Sequence, residues 1–65
     1  MGLKHLRKIE LFLRRNKSKS FTRKQIRLEL DINFLISNDC LDYLVEHKKV
    51  KLIRKGWDRY QWREE

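Results

Sequence analysis

Cations dominate the side chains that could do chemistry here, and the chemistry they suit is the holding of anions. Arg23, Lys24 and Arg27 stand close together, and Lys51, Arg54, Lys55, Arg59 and Arg63 crowd the C-terminal stretch. Across the 65 residues, 17 basic side chains face 9 acidic ones, leaving a net charge of +8. A charge of that size on so small a body sets up a positive field that draws polyanions, nucleic acid foremost and an anionic membrane surface less well. Asn33 and Asn38 add amides of the kind that pair with base edges or cap a helix.

Bond-making chemistry finds little support. His5 and His47 fall on different elements, with no cysteine or paired carboxylate at ligand spacing. Cys40 is the single cysteine, so neither an intramolecular disulfide nor a thiolate zinc site can form. On an apolar helical face it reads as a small buried hydrophobe, and such usage fits a reducing, intracellular compartment. Two glycines cannot build a glycine-rich phosphate loop. Asp39, Asp42 and Glu46 have the spacing of one helical face, and a solvated or partner-facing acidic surface is the expectation for them. The chain is therefore expected to be no enzyme and to carry no metal, cofactor or small-molecule substrate. No apolar run approaches the roughly 20 residues that span a bilayer, and charges interrupt the N-terminal apolar residues, so a cytoplasmic protein without a membrane partner is expected.

The elements that must position these cations follow from periodicity. Leu3, Leu6, Ile9, Phe12 and Leu13 share one face of a first helix over 3–15. Lys4, Arg7, Lys8, Arg14 and Arg15 occupy the other, with Leu11 among them. Asn16 follows, able to take the left-handed conformation after a helix. Thr22 and Gln25 make a capping box, with Phe21 and Ile26 placed as a hydrophobic staple, so a second helix starts at Arg23 and runs to about 30. Ile26 and Leu30 point inward. Ile32 is expected to plug the core, and Asn33 caps a third helix over 34–48. On that helix Ile36, Cys40, Leu41, Tyr43, Leu44 and Val45 form an apolar arc with Phe34 at its edge, opposite Leu35, Asn38, Asp39, Asp42 and Glu46. Beyond Lys49 the period changes to two. Strands at about 50–54 and 59–63 flank a turn at Lys55-Gly56-Trp57-Asp58, with Val50, Leu52, Tyr60 and Trp62 on the core side and cations outward. Phe21 could add a very short third strand. No internal repeat or domain boundary interrupts 1–65.

Three helices and a hairpin in this order resemble a winged helix-turn-helix domain. The resemblance rests on Phe21-Thr22-x-x-Gln25-Ile26, Leu30-x-Ile32-Asn33, Leu41-Asp42-Tyr43-Leu44-Val45, and Val50 with the hairpin and Gly56. It implies an α+β, mainly α fold, with a C-terminal two-stranded hairpin as the wing. It also implies double-stranded DNA, favoured over RNA, as the partner of a small transcriptional regulator or a replication or plasmid-maintenance accessory protein, associated with the nucleoid when bound. Asp31 stands where the family usually has Gly, and Arg27 where it often has a small buried Ala.

The face that the family lays in the major groove is here acidic, with no Lys or Arg before Lys49. Carboxylates repel phosphates. Binding is therefore expected through Arg23, Lys24 and Arg27, the helix start at Asn33, the amide of Asn38, and the wing cations Lys51, Arg54, Lys55, Arg59 and Arg63. A subgroup that binds left-handed nucleic acid uses an Asn and a wing Trp roughly where Asn38 and Trp62 stand, but has Tyr at the position of Asp42. Trp62 reads as core, and Trp57 as the exposed aromatic. The competing reading is a docking or homodimerisation module that pairs the acidic third-helix face with the basic first-helix face.

Overall fold

The computed structural model describes residues 3–63. Three helices, α1 (Leu3–Arg15), α2 (Arg23–Leu30) and α3 (Phe34–Glu46), pack with strands β1 (Phe21–Thr22), β2 (Val50–Lys55) and β3 (Trp57–Trp62). The strands form one antiparallel sheet in the order β1-β3-β2. The architecture is α+β and mainly helical. The sheet has three strands, because Phe21 pairs with Tyr60 and Thr22 with Arg59 beside the expected hairpin.

Alternation sorts each helix as its period predicts. Leu6, Ile9 and Leu13 of α1, Ile26 of α2, and Cys40, Leu41 and Leu44 of α3 meet Ile32, Val50 and Tyr60 in one core. Leu3 is a correction: at 82% exposed it lies outside the core it was expected to join. Phe21 closes the core edge by setting its ring 4.8 Å from that of Phe12. Ser37 is buried on α3 among the apolar side chains, and a period count based on hydrophobicity passes over it.

The helix ends are chemically specified. At α2 the Thr22 hydroxyl accepts from the Gln25 amide, and the Gln25 side chain accepts from the Thr22 amide, completing the capping box. Asp31 takes the left-handed conformation at φ 52°, and the Ile32 amide donates back to Arg27 O at 3.0 Å. The residue after that turn, Ile32, is buried as expected. Asn33 Oδ1 accepts from Leu35 N and Ile36 N to open α3.

Two terminations differ from expectation. Asn16 does not go left-handed: its amide and its Nδ2 both donate to Phe12 O, so the side chain closes α1 instead. At the end of α3 Lys48 adopts φ 59°, with Lys49 N donating to Leu44 O and Lys48 N to Val45 O. This paired arrangement stops the helix at Glu46, two residues short of 48. The hairpin is also tighter than expected. Lys55 pairs with Trp57, so only Gly56, at φ 80°, lies between strands of 50–55 and 57–62.

Candidate nucleic-acid interface

Strand register decides which hairpin cations stand together. Val50, Leu52 and Arg54 lie opposite Trp62, Tyr60 and Asp58 on the helix-side face. Lys51 and Ile53 lie opposite Gln61 and Arg59 on the outer face, and the last pair, Lys55 and Trp57, brackets Gly56 at the tip, where Trp57 borders the space next to α2. The five hairpin cations therefore divide. Lys51 and Arg59 share the outer sheet surface, and Lys55 stands at the tip. Arg54 sits on the opposite surface across from Asp58, beyond the end of the core. Arg63 follows β3, its amide donating to Lys49 O, and lines a shallow recess with Lys51.

A larger open groove, of about 780 Å³, runs between α2, the first turn of α3 and the hairpin tip. Arg23, Lys24 and Arg27 form one wall, Phe34 the floor at the start of α3, and Gly56, Trp57 and Asp58 the other wall. Sequence periodicity put Phe34 at the edge of the core. It is 55% exposed, and the Arg27 guanidinium lies 5.7 Å from its ring centroid. Arg27 thus lies over an aromatic ring, at a position where the winged-helix family it resembles often has a small buried Ala. Trp57 is 81% exposed, as its place at the turn suggests, while Trp62 is half-buried against the core.

Of the expected contact residues, two have other work in the fold and a third is partly enclosed. Arg23 Nη2 donates to Asp42 Oδ1 at 2.8 Å, and its Nε donates to the Tyr60 hydroxyl. Burial works against the Arg23 charge, but the pull of Tyr60 and Asp42 outweighs it and holds the guanidinium above its ordinary pKa. Asn33 Oδ1 is spent on the α3 cap. Asn38 is half-buried with its Oδ1 enclosed and without a protein hydrogen-bond partner, which corrects the outward placement given to it. Asn38 and Trp62, roughly where the subgroup that binds left-handed nucleic acid has its Asn and wing Trp, are both half-buried.

The remaining cations are available. Among the described residues, Lys24, Lys51, Arg54, Lys55, Arg59 and Arg63 are exposed and their side chains pair with no carboxylate. Elsewhere Lys49 approaches Glu10 at 3.7 Å, and Lys8 Nζ donates to Leu30 O, capping α2 from α1. The acidic face of α3 is real: Asp39, Asp42 and Glu46 are all exposed. Arg23 offsets Asp42, a partner that helix periodicity alone could not reveal because it comes from another element. Among the described residues no group of three His, Cys, Asp or Glu side chains gathers as a metal site, and no helix is long and apolar enough to cross a membrane.

In comparisons with known proteins, no family model, no curated protein and no solved structure matches the chain.

Proposed function

We propose that the chain is a winged helix-turn-helix protein that binds double-stranded DNA, as a small transcriptional regulator or a replication or plasmid-maintenance accessory. One observation carries this reading. The single-residue turn at Gly56 places a hairpin tip flanked by Arg54 and Lys55 across a groove from Lys24 and Arg27. Lys24 and Arg27 on one wall of a concave surface, with Arg54 and Lys55 beside the tip that forms the other, suit a phosphate backbone, which dominates affinity in such complexes. Helix α3 contributes its first turn and not its length, because Asp39 and Glu46 further along would meet phosphates. Base discrimination through α3 is correspondingly weak, and recognition leans on backbone and shape.

Chemical-shift mapping tests this directly. Titration with a mixed-sequence duplex should move the amides of Lys24, Arg27, Phe34 and 54–58 and leave the outer face of α1 unmoved. Shifts confined to α1, or none at all, would reject the proposed surface.

A second reading has its own observation. The outer face of α1 carries exposed cations around the exposed Leu11, while α3 exposes Asp39 and Glu46. Opposite signs on two faces suit a homodimer or a docked partner. Sedimentation would then show a dimer that salt dissociates.

A further inference from the structure

The groove holds more aromatic surface than a phosphate clamp uses. Trp57 and Phe34 both line it and both are largely bare. Lys24 and Arg27 line the wall facing Trp57, so aromatic faces and cations border the same space. A fully paired duplex hides its base faces in the stack, and an exposed indole gains little from it. Unpaired nucleotides offer those faces, and stacking platforms framed by cations are how proteins hold them.

We propose that this groove takes an unpaired base, stacked on Trp57, at a junction between single-stranded and double-stranded nucleic acid. The inference rests on the nucleic-acid reading above and names its substrate class more narrowly. Phosphates flanking the unpaired base lie on Lys24 and Arg27, and the adjoining duplex runs along the hairpin cations. Asp58, also in the groove, is an acceptor for the amino group of a base edge. The acidic length of α3 fits the same arrangement, because a duplex that ends at the groove need not insert a major groove over Asp39 and Glu46. Phe34 gives the groove a second apolar surface, held under Arg27.

Three labelled DNAs with equal numbers of phosphates test the proposal by anisotropy at one salt concentration: a blunt duplex, a duplex with a single-stranded overhang, and a single strand. The overhang substrate should bind about tenfold tighter than the blunt duplex, the scale expected of one stacked base. Trp57→Ala should lower overhang affinity severalfold more than blunt-duplex affinity, so that the preference is lost, and Trp57→Phe should retain part of it. Trp57 sits at an exposed tip, so neither substitution threatens the core. Equal affinity for blunt and overhang DNA would overturn this inference and leave duplex binding standing. So would a Trp57→Ala variant that weakens both alike, which is the result for a side chain wedged into the paired duplex. Absence of binding to all three would overturn both readings together.

Discussion

Arg23 and Asp42 join α2 to α3 through a 2.8 Å ion pair, and the same guanidinium donates to the hydroxyl of Tyr60 on the central strand. One side chain therefore ties together a helix start, the outward face of another helix and the sheet. Its reach converts the most central acid of α3 into part of the scaffold. Asp39 and Glu46 remain as the carboxylates that a polyanion would meet. The face opposite the core is thus less hostile to phosphate than a count of its acids implies.

The two partners of Arg23 should differ in worth. Tyr60 is fully buried, whereas the ion pair is part-exposed. Arg23→Ala removes a donor from the buried phenol and should cost about 1–3 kcal/mol. Asp42→Asn should cost less than about 1 kcal/mol, as exposed pairs do. It should also strengthen DNA binding, because a carboxylate is lost and Arg23 is released. Chemical denaturation and a duplex titration of each variant provide the check. Weaker DNA binding by Asp42→Asn would contradict the role given to this acid.

Asn33 is a cap before it is a contact. Asn33→Ala should lower stability by about 1 kcal/mol through the loss of its bonds to Leu35 N and Ile36 N. Asn33→Asp should restore most of that loss, since aspartate caps equally well. Melting curves of the two variants separate capping from DNA contact. Equal destabilisation by both would show that the cap is not what Asn33 supplies.

At the hairpin tip, Gly56 answers to its backbone alone. No atom lies within 4 Å of an added Cβ, yet φ is 80°. Gly56→Ala should therefore destabilise by about 1–2 kcal/mol, the cost of a left-handed conformation for an L side chain. Broadened amide signals at 54–58, with unchanged signals in α1, would locate the effect at the tip. An unperturbed hairpin in that variant would refute the turn geometry.

Alkaline pH should weaken the fold. Burial raises the Cys40 thiol above its ordinary 9.0, with Asp39 adding to the effect. Burial likewise raises the Tyr60 phenol above 10.0, and Arg23 only partly offsets it. Both groups hold their protons more tightly when folded, so their contribution is fully present below the unfolded values and is lost as pH rises through the folded ones. Stability measured by denaturation should thus decline from about pH 9 upward. Cys40→Ala and Tyr60→Phe should each flatten the decline. An unchanged slope in both variants would remove burial of these groups as its cause.

The elements were largely legible because local rules agree with the fold. The Thr22–Gln25 box, the Asn33 cap and the spacing of Leu6, Ile9 and Leu13 each act within a turn or two, and alternation placed Tyr60 and Trp62 opposite Leu52 and Val50. What escaped depends on distance or on backbone angles that the residue type does not advertise. Lysine is a good helix former, so nothing marks Lys48 as the left-handed residue that ends α3. Ser37 is polar yet buried, and Asn38 has its Oδ1 enclosed, neither of which the residue type announces. The groove was legible only in pieces. Its cations stood out in the sequence, but Phe34 joined them only once α2, α3 and the hairpin had been folded together.

The central claim, that the exposed cations of α2 and the hairpin hold a phosphate backbone, is tested most directly by the salt dependence of duplex affinity. Log affinity should fall linearly with log salt at a slope of roughly −3 to −5, since each neutralised phosphate contributes about −0.9. Lys24→Ala, Arg54→Ala and Lys55→Ala should each make that slope shallower by about 1 and weaken all sequences alike. A flat salt response, or no binding to mixed-sequence duplex at low salt, would contradict the claim.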